Sequence, residues 1–388
     1  MSRPVVLLNE DLSTLAPEAL ERARRLADWI VANQTPDEDY LADAGNFPFV
    51  VSAEGVPRAA NNWNHAFAIM GLLAAGRVFG EERYTQAALR MGRYLATLQI
   101  FDPFHRRHYG AFREMTPQTP WCYVRDALSA AWAMAELYRA TGNGDWLARA
   151  RLWEEWFRRE GLDETGWPWW GVMFDEPFPH QLGKMRNDVH GCFHGGGLNF
   201  FYLMYRITGD RIHVGAFYEA IADRFVGEIQ QADGLFRSTL AATGKVPESD
   251  PQNGLHRAND DLGTLGLLGA WRIYGKERYR EAIGRFLDCV FAAQREDGAF
   301  EDSCAAIPVV LNIVREAEGV VGPRTAAPEA ASRALKALFR RQVESADPRR
   351  AGALDETGNG ECCARSVCYA LIVLLKLFGG AEEYLSAP

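Results

Sequence analysis

GLLAAGRVFGEERY (71–84) and GLLGAWRIYGKERY (266–279) agree at nine of fourteen positions, although almost two hundred residues separate them. Each is an apolar run, then a basic residue and an aromatic one, then glycine, then a charged start to a second run. A glycine there supplies the left-handed residue that ends a helix. Weaker copies stand at AELYRATGNGDWL (135–147), FYLMYRITGDRIH (201–213) and VLLKLFGGAEEYL (373–385). The glycines are Gly80, Gly142, Gly209, Gly275 and Gly379, at intervals of 62, 67, 66 and 104 residues. The last interval has room for two shorter units, with a helix from Cys304 onward filling the gap. A period this long, with two helices per unit, predicts stacked helical hairpins.

Six first helices are expected near 62–79, 122–141, 192–208, 258–274, 303–317 and 360–378. Six second helices are expected near 83–98, 145–158, 213–230, 277–294, 329–342 and 17–34, the N-terminal one pairing with the last first helix. Runs such as AFAIMGLLAAG and CYALIVLLKLF are apolar all round, whereas EALERARRLADWI and RLWEEWFRRE carry a charged stripe. The first kind is buried and the second faces water. The fold class that follows is all-α, a toroid of six hairpins closed into a ring, with residues 1–388 read as a single domain. The long connections 99–121, 159–191, 231–257 and 343–359 all fall where inner helices begin, and they are rich in Trp, His, Asp and Pro. Long loops gathered on one face of a compact fold point to a pocket there.

Composition narrows the partners. The formal net charge of −9 argues against nucleic acid or an anionic membrane. No apolar stretch is long enough to span a bilayer, and Glu10 and Asp11 interrupt the short run Val5–Leu8. Seven cysteines, an odd number, suggest reduced thiols and a cytoplasmic location. The expected partner is a small molecule or oligosaccharide.

Aligning the repeats on their glycines brings Asn64, Asp126 and Asn259 to equivalent positions in the first turn of an inner helix, with His65 and Asp260 one place on. Asn and Asp there can be caps. Two adjacent carboxylates, Asp260 and Asp261, exceed what a cap needs, and a buried member of a carboxylate pair can act as a general acid. Asp126, Asp260, Asp261 and His194 are therefore the candidate catalytic groups. Asn64, His65, Arg125, His190, Asn259 and the aromatic faces of Trp63, Trp121, Trp169 and Trp170 are candidate substrate contacts, since aromatic faces stack on sugar C–H faces. Cys304, Cys362 and Cys363 sit near helix starts and are either buried apolar residues or thiolates for zinc. The CxxC pair of common structural zinc sites is absent, so no cofactor is expected, with zinc the alternative.

The repeat, together with HYGAF, VRDALSAAWAMAELYRATGNGDWL and AAQREDGAF, resembles the six-hairpin glycosidase-like (α/α)6 toroid superfamily. That superfamily includes unsaturated uronyl hydrolases, N-acylglucosamine 2-epimerases and polysaccharide lyases. The resemblance implies a carbohydrate-active enzyme, foremost a glycoside hydrolase acting on a sugar or oligosaccharide that could be acidic. In the uronyl hydrolases an Asp at an inner-helix start is the general acid/base, and Asp126 is the similar position, although the Trp-Ala-Arg-Gly context of that family is missing. In the epimerases two histidines exchange the proton, and His194 is similar to one. A sugar epimerase or isomerase, or a polysaccharide lyase, is thus the alternative on the same fold. GAFEDSCAAI (298–307) with GECCARS (360–366) is similar to the zinc-cysteine arabinofuranosidases, although Glu301 to Cys304 is one residue too wide. AAQREDGAF with Asn259–Asp260–Asp261 resembles part of the terpenoid cyclase pattern, which leaves a natural-product cyclase as a further alternative.

Overall fold

The computed structural model describes residues 10–37, 43–102, 104–174, 184–185, 191–236, 260–322 and 327–381. Its helices are α1 (Glu10–Ser13), α2 (Ala16–Ala32), α3 (Asn62–Phe79), α4 (Glu82–Thr97), α5 (Val124–Thr141), α6 (Gly144–Trp156), α7 (Gly191–Thr208), α8 (Ala216–Arg224), α9 (Asp260–Tyr274), α10 (Glu277–Val290), α11 (Ala306–Val321), α12 (Ala327–Arg340) and α13 (Ala364–Gly379). Six of them, α3, α5, α7, α9, α11 and α13, form an inner ring. Each packs on the next, and α13 returns to α3. The outer helices α2, α4, α6, α8, α10 and α12 pack against them, and α2 lies on α13 as the sequence predicts. Among the described residues no helix is long and apolar enough to cross a membrane.

The burial patterns explain the two layers. Every residue of α3 from Asn62 to Gly76 is buried. On α4 only a stripe is buried, including Tyr84, Ala87, Ala88, Met91 and Leu95, the spacing of one helical face. Gly80, Gly142, Gly209 and Gly275 all have positive φ at helix ends. The last inner helix stops one residue later than expected, with Gly380 rather than Gly379 in the left-handed conformation.

Two inner helices also start later than the apolar pattern suggests, because short strands precede them. These strands are β1 (Val50–Val51), β2 (Pro57–Arg58), β3 (Trp121–Tyr123), β4 (Gly171–Met173), β5 (Lys184–Met185) and β6 (Cys362–Cys363). They form two three-stranded sheets, ordered β2-β1-β6 and β3-β4-β5. Trp121 pairs with Met173 and Tyr123 with Gly171, while Val50 pairs with Cys363. Cys122, Cys362 and Cys363 are therefore strand residues, and α5 and α13 begin just beyond them.

A recurrent clasp ties the outer layer together. After α2, α4, α8, α10 and α12 come Gln34, Gln99, Gln230, Gln294 and Gln342. Each side-chain N–H donates to a carbonyl on the next outer helix: Ala87, Arg149, Ala282, Ala330 and, closing the ring, Arg22. Each amide oxygen accepts from an arginine there: Arg90, Arg149, Arg285, Arg333 and Arg22. Four of the glutamines also bond a loop-glycine carbonyl, at Gly110, Gly234, Gly298 and Gly352. The turn following α6 departs from this pattern. It carries Leu162, and Arg224 of α8 instead lies 3.8 Å over the Trp167 ring and donates to Thr165.

Candidate active site

The start of α3 is built for anchoring. Asn64 Oδ1 accepts from the Asn61 backbone N–H at 2.6 Å, forming a capping box, and Asn64 Nδ2 donates to Phe47 O. His65 Nδ1 lies 2.6 Å from Asn61 O, and its Nε2 accepts from the Phe47 N–H at 3.1 Å. Both side chains are fully buried. Burial brings the His65 pKa down to about 4, so the imidazole is neutral. The substrate-binding roles expected of Asn64 and His65 are therefore corrected: their polar atoms hold the 46–49 loop onto α3.

The start of α5 is different. Asp126 is the third residue of the helix, in the same register as Asn64, but it does not turn back to cap. Arg125 Nη1 lies 3.0 Å from Asp126 Oδ1, and each side chain keeps 12% of its surface exposed. The Arg125 guanidinium stacks 5.2 Å over the Trp63 ring and 5.9 Å from the Phe67 ring, both on α3. Glu114, from the loop between α4 and β3, completes the group. Its side chain is fully buried, its Oε2 accepts from the Tyr123 N–H at 2.9 Å, and the Asp126 carboxyl lies close enough to act on its charge. Burial, then the negative charge of Asp126, push Glu114 well above the usual carboxylate range. Burial and a neighbouring carboxylate both favour the neutral form of a carboxyl group. Glu114 Oε1 has no hydrogen-bond partner among the described residues.

Aromatic side chains surround this pair. The Tyr123 ring stacks on Trp170 with centroids 5.2 Å apart and planes 16° from parallel, and Trp121 meets Tyr123 edge-on at 4.9 Å. Trp170 is 43% exposed. Trp63, nearly buried, packs against Phe49 and Phe67 beneath Arg125. Trp169 is turned away from this group: its indole N–H donates to Leu162 O at 2.9 Å.

The same end of the ring carries a second charged cluster before α13. Glu356 Oε1 accepts from Ser303 Oγ at 2.7 Å and from Arg365 Nε at 3.1 Å, with Arg365 Nη2 also bonded to it. The Arg365 guanidinium holds the Glu356 carboxyl below its usual range despite burial. Cys304, Cys362 and Cys363 lie around this cluster. Burial pushes Cys304 up to about 12 and raises the other two thiols, so all three are protonated. Among the described residues no three His, Cys, Asp or Glu side chains converge to hold a metal ion.

The backbone of Asp260 and Asp261 opens α9, and His194 lies in the first turn of α7. Their side chains, and all of His190 and Asn259, fall outside the described residues. Sequence reasoning missed Glu114 and Glu356. The one signal that could have found them is a shared motif downstream: each lies several residues before a Cys-x-x-Arg, at Cys122 to Arg125 and at Cys362 to Arg365.

No family model matches the chain, and no curated protein matches it. Solved structures do. Cellobiose 2-epimerase from Bacillus thermoamylovorans B4167 superposes with a TM-score of 0.73 at 13% identity, over 93% of this chain and 100% of that one. A family 76 glycoside hydrolase (mannosidase) from Bacteroides thetaiotaomicron VPI-5482 gives 0.65 at 12% identity, over 93% and 99%. An alpha-1,6-mannanase of Salegentibacter sp. HEL1_6 gives 0.62 at 12% identity, over 93% and 99%; it is an inactive variant with two consecutive aspartates replaced by asparagine, in complex with alpha-1,6-mannotriose. The chain has the (α/α)6 toroid fold. Across the toroid, the Glu114–Asp126 pair sits on the face where inner helices begin and outer helices end.

Proposed function

We propose that this chain is a carbohydrate-active enzyme that cleaves a glycosidic bond by general acid/base catalysis, with Asp126 delivering the proton. The observation that carries this reading is the fully buried Glu114 carboxyl set beside the Asp126 carboxyl, which keeps 12% of its surface exposed and pairs with Arg125 at an inner-helix start. Glu114 stores the proton, Asp126 presents it at the glycosidic oxygen, and Arg125 fixes the Asp126 carboxylate once the proton has left. The second carboxylate is assigned to Asp260 or Asp261 at the start of α9. The mannanase supports that assignment by analogy, since replacing two consecutive aspartates accompanies its inactive state. The distance between the acid and this second group decides retention or inversion.

Two cheap substrates test the reading: α-1,6-mannotriose and cellobiose. Hydrolysis produces new reducing ends. Asp126→Asn is expected to lower kcat by at least about 100-fold, the usual contribution of a general acid. Glu114→Gln is expected to shift the alkaline limb of the pH–rate profile. If Asp126→Asn turns over as fast as the parent, the assignment is wrong. The epimerase similarity favours one second reading, with His194 abstracting a proton next to a carbonyl. It predicts a product of unchanged mass from cellobiose.

A further inference from the structure

The two charged clusters are variants of one device. Glu114, Cys122 and Arg125 on β3–α5 correspond to Glu356, Cys362 and Arg365 on β6–α13. In both, a glutamate from the preceding loop is buried behind a short strand, the first cysteine is fully buried, and the arginine is the second residue of its inner helix. Helices α5 and α13 flank α3 on its two sides. Between the arginines lies one aromatic layer. Arg125 stacks on Trp63 and Phe67, the Phe67 ring centroid is 5.1 Å from that of Tyr369, and Tyr369 stands one turn along α13 from Arg365. The Arg365 side chain keeps 23% of its surface exposed while Glu356 keeps 7%. The arginine therefore reaches toward solvent and the glutamate braces it from behind, with Ser303 holding the glutamate.

Among the described residues each arginine of these clusters is paired with a carboxylate. Arg125 is matched by Asp126 and Arg365 by Glu356, and burial beside Asp126 favours the neutral form of Glu114. A uronate or phosphate brought here would find each cation already balanced and two carboxylates nearby to repel it. A hydroxyl group has no such cost, and it can accept a hydrogen bond from a guanidinium that stays paired with its own carboxylate.

On the reading that this is a sugar-processing site, we propose that Arg365, positioned by Glu356, is a second substrate-binding residue, and that the paired arginines select an uncharged sugar by its hydroxyl groups. This departs from the acidic sugar entertained from sequence. It predicts that charge selection can be inverted by removing the balancing carboxylate, a result that a merely structural Glu356 would not give.

The test uses the full chain, with binding of α-1,6-mannotriose, cellobiose, glucuronate and mannose 6-phosphate measured by calorimetry beside steady-state kinetics. The parent protein is expected to bind a neutral sugar more tightly than either anion. Arg365→Gln is expected to weaken neutral-sugar binding by roughly 10- to 100-fold and to raise KM more than it lowers kcat. Glu356→Gln is expected to improve binding of glucuronate or mannose 6-phosphate relative to the neutral sugar, an improvement that disappears in high salt. Arg365→Lys keeps a cation beside Glu356 and serves if the Gln variant fails to fold. Parent protein that prefers either anion, Arg365 variants that bind as the parent does, or a Glu356→Gln protein with unchanged preference would overturn the proposal. The binding arms stand without catalysis. A chain that selects neutral sugars through Arg365 but turns over neither substrate refutes the hydrolase reading and leaves this one intact.

Discussion

His65 shows how one buried side chain sets a pH limit. In the folded chain it stays neutral down to about pH 4, whereas in an unfolded chain it protonates near 6.5. Protonation then favours the unfolded state, so the stability present above pH 6.5 is lost as pH falls toward 4. The loss from this one group is on the order of 3 kcal/mol. Urea titrations of parent and His65→Gln from pH 7 to 4 are expected to converge toward the acid end; parallel curves would exclude it. His65 and Asn64 also mark where sequence reading stops at this scale. A polar residue in the first turn of an inner helix was legible, but whether it turns back to cap or outward to a ligand depends on a loop brought in by the fold. At Asn64 the partners are Asn61 and Phe47; at Asp126 they are Arg125 and Glu114. Glu114 belongs to no helix or strand, so no periodicity could reveal it.

Elements were far more legible than residues, because each inner helix is apolar over most of its length and ends at a glycine. The strands were not legible: β3 and β6 are two or three residues long and read as apolar continuations of the helices that follow. Their pairing is with segments distant in the chain, which local pattern cannot supply. Glycines divide by what surrounds them. Gly142 has positive φ but open space where a Cβ would stand, whereas at Gly298 (φ +93°) a Cβ would lie 2.4 Å from Arg333 O on α12. Gly142→Ala is expected to cost about 1 kcal/mol, the strain of the left-handed conformation alone. Gly298→Ala adds a backbone clash and is expected to cost about 2–3 kcal/mol or more. Thermal unfolding of the two variants checks the order, and equal losses would mean that the α12 contact is soft.

At the scale of the whole ring, the six-fold repeat made closure predictable, since an N-terminal outer helix with no inner partner of its own has to find the last one. The glutamines were not predictable as a set. Of the five, only Gln294 stands in a stretch with a recognisable pattern, AAQREDGAF, and its partners on α12 lie on the following helix. Removing one clasp leaves carbonyls on two elements without their donor. Gln294→Ala is accordingly expected to lower stability by about 1–3 kcal/mol in denaturant melts.

Where Leu162 replaces the glutamine, α6 and α8 are joined by ring faces and an arginine instead of by paired amides. A bracelet with five fastened links and one of another make parts at the odd link. In hydrogen exchange, the amides of Leu162–Trp169 and α8 should therefore lose their protons ahead of those of α4, α10 and α12. Unfolding would then start from a fixed address rather than anywhere around the circumference, and a permuted chain with its ends cut at that junction would surrender the least.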